Sequence, residues 1–323
     1  MFSAQGYDAV RHGLACVRRS DRGVLRLGGS DRATWLQGLI TNDVLSLQPG
    51  HRVYSAYLTP QGRMITDLWV VATDGALLLD VPAPLAASLA ARLDGLIFAE
   101  DAQVTDVSAE TTCVHLLGPA AARVAAPPTP VLPGGGVLVP DHQYGLPGLV
   151  AYGALDAVLA DNGLDDDLGP ALEVDLDTLD AIRIEAGVPR FLVDMTEETI
   201  PLEAGIEDRA ISFTKGCYVG QEVIVRVTTR GGGRVARRLV GLRLDLPGGA
   251  MAAVPAAKTP IHSGDRAIGF ITSATWSPTL SAHIALGYVH RDFVEPGTAV
   301  QVTMSEGPMG AVVAALPFVP PAL

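Results

Sequence analysis

The sequence predicts an α+β protein in two interleaved units followed by a small all-β domain. Three observations carry this. Strand and helix signals alternate through the first hundred residues, a second alternating stretch begins near residue 111, and short strands at regular spacing fill the chain after residue 233. At 323 residues, 48% of them hydrophobic, the chain is long enough to bury a large core and to form two or three domains.

The elements follow in order. Residues 23–29, GVLRLGG, alternate apolar and polar positions as a strand does. SDRATWLQGLI (30–40) offers Ser30 or Asp31 as an N-cap and spaces Trp35, Leu36, Leu39 and Ile40 helically. YSAYLTP and QGRMITDLWVVA form a hairpin with Pro60-Gln61-Gly62 as its turn, and ALLLDVP is a further strand. APLAASLAARLDGLIF is a helix with Pro84 in its first turn and Leu85, Leu89 and Leu93 on one stripe. In the second unit TTCVHLLG and GLVAYG read as strands, PAAARVAA and ALDAVLADNG as helices, and 127–148 as a Pro/Gly-rich loop with small strand pieces. DTLDAIRIEAG (177–187) is a helix ended by Gly187 and Pro189. RRLVGLRLD, RAIGFITSATW, IALGYVH and TAVQVTM are the strands of the β domain, a barrel or sandwich.

Charge and cysteine usage exclude several classes. A formal charge of −12 argues against wholesale binding of nucleic acid or acidic lipid. No apolar run approaches the ~18 residues of a membrane span, and the N-terminus lacks a signal-peptide layout. Cys16, Cys113 and Cys217 are odd in number and widely spaced, which fits a reducing cytoplasm and no disulfide framework. The sequence has no phosphate-binding P-loop, no HExxH or paired-cysteine metal spacing and no GxSxG elbow, so a metal site is not expected. Charge is nevertheless uneven. Residues 161–180 carry eight acids and no base, whereas 209–243 carry eight Lys or Arg against the single acid Glu222. Each run reads either as a solvated face or, for the basic one, as a field that collects an anionic ligand.

The basic run holds FTKGCYVGQEVIVR (213–226), in which a Lys-Gly-Cys-Tyr turn precedes a β-type run expected to be a strand, with Gln221 and Glu222 on its opposite faces. Lys215 and the exposed backbone of a glycine turn would favour a thiolate at Cys217, yet the same cysteine reads equally as a small thiol filling a tight turn. Tyr218 reads as core or as a stacking ring. Arg226 and Arg230 read as edge charges or as cations for an acidic group.

Residues 183–226, from RIEAG through PLEAG to KGCYVGQE (215–222), resemble the folate-binding YgfZ proteins, relatives of the glycine cleavage T-protein, or aminomethyltransferase. LRLGGSDRATWLQGLITNDV and GFITSATWSPTLSAHIALGYV extend the resemblance to nearly the whole chain. It implies a three-domain ring around a folate cavity. A folate-binding unit would take 1–110 and about 200–232, a ferredoxin-like unit 111–199, and a C-terminal β-barrel 233–323. It further implies tetrahydrofolate or a derivative as cofactor, with Glu203 meeting the pterin ring and Lys215, Tyr218 and Arg226 contributing to the site. Arg183 and Glu185, two apart on a helix, read as structural. The resemblance implies a role in iron–sulfur protein assembly or repair, and thereby in tRNA modification, with Cys217 as the candidate reactive thiol. A lone cysteine cannot hold a cluster, which takes about four ligands.

The sequence departs from the T-protein pattern at one telling place. An acidic pair follows the hairpin in that enzyme, and here Thr66 replaces the first acid, leaving only Asp67. That disfavours aminomethyl transfer, the alternative activity, in which Asp67 would be the catalytic carboxylate. A direct tRNA-binding role for the basic segment is the third reading, opposed by the overall charge.

Overall fold

The computed structural model describes residues 2–123, 131–132, 136–153, 171–249, 252–305 and 307–322. The chain forms two compact units. Met1–Thr178 and Asp208–Gln221 make the first, Leu179–Glu207 and Glu222–Ala322 the second.

The strands of the first unit are β1 (Ala15–Arg18), β2 (Arg22–Gly28), β3 (Arg52–Leu58), β4 (Met64–Ala72), β5 (Leu77–Pro82), β6 (Gln103–Asp106), β7 (Thr112–Leu117), β8 (Val131–Leu132), β9 (Gly136–Asp141), β10 (Gly148–Gly153) and β11 (Leu172–Glu173). They build a five-stranded antiparallel sheet in the order β3-β4-β5-β2-β6 and a six-stranded sheet in the order β11-β1-β7-β10-β9-β8. In the first sheet, alternation sends Leu25, Leu27, Leu68, Val70 and Leu79 to one face, where Leu36, Leu89 and Leu93 of two helices cover them. Val24 and Val71 point the other way and meet Cys113, Val139, Val150 and Tyr152 of the second sheet. Both faces of the five-stranded sheet are therefore buried.

The expected helix at 30–40 is Arg32–Gln37, and Asp31 is its N-cap residue. The Asp31 carboxylate does not cap, because it accepts instead from the Asp101 backbone N–H at 2.8 Å. The hairpin turn has Gly62 at φ +74°, with its N–H donating to the Thr59 carbonyl. Leu89 and Leu93 are buried along Ala86–Asp94 as the stripe requires. A helix at Ala4–His12, capped by the Ser3 hydroxyl on the Gly6 N–H, was not anticipated. PAAARVAA contributes a 3₁₀ turn at Pro119–Arg123, while ALDAVLADNG lies outside the described residues.

The helix Leu176–Glu185, part of the second unit from Leu179 onward, ends as expected before Gly187, whose φ of +69° suits glycine. The β domain is a closed six-stranded barrel of β12 (Arg237–Leu244), β13 (Pro260–Ser263), β14 (Arg266–Ser277), β15 (Ala282–His290), β16 (Ala299–Met304) and β17 (Gly307–Ala314). Val240, Leu242, Leu244, Ile261, Val289, Val302 and Val313 fill its interior. Two of the six strands were missed because β13 opens on Pro260 and β17 on Gly307-Pro308, residues that read as turns. No helix among the described residues is long and apolar enough to cross a membrane.

One sequence expectation fails outright. The stretch from Gln221 is not a strand: Gln221–Val225 is α-helical and Arg226–Arg230 continues as a π-turn. The branched residues Val223, Ile224 and Val225 suggested a strand. Gly220, at φ +85°, turns the chain before them, and the Thr228 hydroxyl donates back to the Ile224 carbonyl as in a helix. Tertiary context overrides β propensity here.

Candidate functional site

The Lys-Gly-Cys-Tyr segment is a loop fastened at both ends and open in the middle. The Lys215 ammonium donates to the carbonyls of Gln37 (2.7 Å), Ile40 (2.7 Å) and Asn42 (2.9 Å), which consumes all three of its hydrogens. Burial pulls its pKa down to about 8, against the opposing pull of Asp43. The same ammonium lies 5.3 Å from the centre of the Tyr218 ring. Tyr218 is buried, and that burial pushes its hydroxyl up to about 12. The Val219 N–H donates to the Gly38 carbonyl, completing the lower anchor. Gly220 packs so closely on the hairpin turn that a Cβ there would stand 2.5 Å from the Thr59 carbonyl oxygen. A Cβ at Gly216 would meet nothing within 4 Å, so this second glycine sits in the open.

Phe213 and Thr214, just before the Lys215 anchor, and Gly216 and Cys217, between the anchors, are exposed, and Phe213 presents 58% of its surface. Cys217 is a free thiol on the surface, whereas Cys16 and Cys113 are buried. Lys215 and Tyr218 thus act in this structure as the fasteners of the loop, and Cys217 is what the loop displays.

Asp67 lies elsewhere in the same unit, in a layer of polar side chains enclosed between the two sheets. The Tyr54 hydroxyl donates to Asp67 at 2.9 Å, and the Arg22 guanidinium stands 3.5 Å away. Arg22 also pairs with Asp80 at 2.5 Å, and Asp80 accepts from the Tyr152 hydroxyl at 2.7 Å. Arg52 pairs with Asp141 at 2.5 Å and lies 3.8 Å over the Trp69 ring. Thr66, on the opposite side of its strand, is wholly buried. Arg209 connects this layer to the segment leading into the loop, because its guanidinium covers the Tyr54 ring at 4.8 Å. The sequence reading missed this layer, although Asp80 interrupts the otherwise apolar strand Leu77–Pro82, which is the signal that could have revealed it.

His115 belongs to the layer. Arg19 approaches its Nε2 at 3.2 Å and can only donate, so Nε2 is unprotonated and the ring neutral. Burial, reinforced by Arg19, Arg52 and Arg22, holds its pKa well below the usual histidine value. The unfolded chain takes up this proton near pH 6.5 and the folded chain does not. Stability therefore falls as pH drops below about 6.5, by up to about 1.4 kcal/mol per pH unit from this group. Urea titrations of His115→Gln between pH 7 and 5 should show a shallower loss than the parent; an identical slope would contradict the buried neutral ring.

Glu203 and Arg226 lie in the second unit. Glu203 is on the one-turn helix Pro201–Ala204, and the Arg237 Nε donates to it at 3.3 Å. Arg237 in turn lies 5.0 Å from the Tyr288 ring centre and 5.9 Å from that of Phe270. Arg237, Phe270 and Tyr288, with Thr196, Thr199 and Thr272, line a cavity of about 800 Å³. Arg226 is exposed at the start of the π-turn. Arg183 and Glu185 are structural, as expected. Arg183 holds Asp180, Asp194 and Ser273, and Glu185 accepts from the Ser277 hydroxyl.

Comparison with known proteins places this architecture. Residues 2–131 match the GCVT N-terminal domain and residues 237–320 the glycine cleavage T-protein C-terminal barrel domain. The chain belongs to the glycine cleavage T-protein family. The aminomethyltransferase of Thermosynechococcus vestitus is 31% identical over 329 residues, covering 97% of this chain and 87% of that protein. A putative chloroplastic transferase of Arabidopsis thaliana is 28% identical, covering 92% of this chain and 70% of its own length. The crystal structure of aminomethyltransferase T from Bartonella henselae has the same fold, with a TM-score of 0.83 at 22% identity over 98% of this chain and 89% of that one. The α+β sheets followed by a closed six-stranded barrel are thus the architecture of the family.

Proposed function

We propose that this family member is a tetrahydrofolate-binding accessory protein of the YgfZ type. In this reading it serves the assembly or repair of iron–sulfur proteins in the cytoplasm and, through them, tRNA modification. The observation that carries the reading is the Lys215–Glu222 loop, fastened by Lys215, Tyr218 and Gly220 so that the Cys217 thiol stands in solvent. A thiol displayed this way suits transient contact with a client protein's cluster or cysteines, and it needs no cluster bound at rest.

The residues of the second unit fit a folate. An aminopyrimidine edge offers N–H donors, and the Glu203 carboxylate is an acceptor paired with Arg237, whose guanidinium reaches the Phe270 and Tyr288 rings on the cavity wall. The cavity of about 800 Å³ that Arg237 lines has the volume for a pterin and its side arm. When bound, tetrahydrofolate supplies reduced pterin nitrogens that can carry one-carbon units. Glu203 would orient the ring, and Arg226, on the exposed π-turn, would be available to the acidic tail.

Calorimetric titration with tetrahydrofolate tests this directly. Wild-type protein should bind, and Glu203→Ala should lose about 10- to 100-fold in affinity, as loss of a charge-assisted hydrogen-bond pair does. No heat with the wild type would end the folate assignment.

A second reading, a tetrahydrofolate-dependent aminomethyltransferase, has the names of the relatives in its favour. Against it stand the lone acid at 66–67 and the engagement of that acid, Asp67, by Tyr54 and Arg22. Turnover of an aminomethyl donor that collapses in Asp67→Asn would favour the transferase.

A further inference from the structure

The basic run 209–243 is only partly used up by the contacts described above. Arg209 covers Tyr54, Lys215 holds three carbonyls, Arg237 pairs with Glu203, and Arg238 pairs with Glu207 at 2.8 Å. Arg234 is exposed and has no ion-pair partner among the described residues.

Alternation along β12 explains where the remaining cations go. Arg237 shares its face with Leu239, which packs against Tyr288 outside the barrel. Arg238 continues the row Val240, Leu242 and Leu244 that fills the barrel, and so stands at the end of that row. There Arg234, Arg238, Arg291 and Asp292, with Gly233, line a cavity of about 440 Å³. The Arg291 N–H bonds to the Ala236 carbonyl and fixes that edge.

We propose that this barrel-end cavity binds a small multivalent anion, either a phosphate ester or an oligocarboxylate, on the guanidinium groups of Arg234, Arg238 and Arg291. Three guanidiniums face only two carboxylates, Glu207 on Arg238 and Asp292 at 3.8 Å from Arg291, so the site carries surplus positive charge. Guanidinium forks match phosphate and carboxylate oxygens in pairs, which makes arginine the residue suited to such ligands. The apolar walls Val235 and Val294 concentrate the field inside the concavity. The site's size and the −12 charge of the whole chain favour a small ligand over a nucleic acid.

Inorganic pyrophosphate and tetraglutamate, titrated separately into the full-length protein at 150 mM salt, test the proposal and distinguish the two ligand sources. At least one should bind, with affinity that falls as salt rises. Arg234→Gln and Arg291→Gln should each weaken it at least about tenfold. Arg234→Lys, which keeps the charge and loses the fork, should fall between. Absence of binding by both probes, or binding unaltered in the Gln variants, would overturn the proposal. Tetrahydrofolate titration of the same variants should match wild type, so this site and the folate reading stand or fall separately.

Discussion

Cys217→Ala is expected to remove the protein's activity in cells while leaving its fold intact. Cys217 is exposed, and the loop that carries it is held by Lys215 on three carbonyls, by buried Tyr218 and by Gly220 against the hairpin turn. None of these contacts involves the thiol. A surface substitution of this kind changes stability by less than about 0.5 kcal/mol, which moves the melting temperature by about 2 °C at most. If the protein serves iron–sulfur proteins as proposed, the activity of a cluster-dependent enzyme in a deletion strain should be restored by the wild-type chain and remain at the deletion level with Cys217→Ala. Lys215→Met provides the contrast. It breaks the fastening without touching the thiol, so it should lower both stability and activity. If Cys217→Ala restores full enzyme activity, the thiol has no part in the function, and the exposed loop serves another end.

What could be read from the sequence follows a physical division. Elements whose apolar positions repeat with one period were legible: Leu89 and Leu93 on their helix, the hairpin around Gly62, and the four barrel strands with clean alternation. The failures came where local preference and tertiary context disagree. Val223, Ile224 and Val225 prefer strands, yet the left-handed turn at Gly220 starts a helix. The site was legible in part. The motif announced the loop, and a lysine two residues before a cysteine suggested that the ammonium acts on the thiol. The structure spends that ammonium on carbonyls 173 to 178 residues away in the chain, a partnership that no spacing rule could reveal. The polar layer was invisible for the same reason. Arg22, Asp67, Asp80 and His115 come from four strands and acquire meaning only when the two sheets close over them.

That layer sets the second large expectation. Asp80→Ala should destabilise the protein by about 3–5 kcal/mol, the cost of stranding a buried charge. Asp80 is 1% exposed and receives Arg22 through the guanidinium, Tyr152 through its hydroxyl, and the Cys113 thiol at 3.8 Å. Burial and the nearby carboxylates Asp80 and Asp67 compete for Arg22, and the carboxylates win, since its pKa is raised above the ordinary arginine value. Without the Asp80 carboxylate the guanidinium keeps the backbone carbonyl of residue 80 at 2.7 Å and a carboxylate only at 3.5 Å, that of Asp67, and the Tyr152 hydroxyl loses its acceptor between the two sheets. A loss of that size is a large fraction of the ~5–15 kcal/mol that holds a domain together, so urea denaturation should show a much lower midpoint. The double variant Arg22→Met with Asp80→Leu separates the two explanations of such a loss. It removes both charges and keeps the volume, and with Asp67→Asn added, so that the second carboxylate beside Arg22 is not itself stranded, it should recover most of the stability if the cost lies in the stranded charge. If the combined variant is as unstable as Asp80→Ala, then packing between the sheets, not charge compensation, is what Asp80 provides.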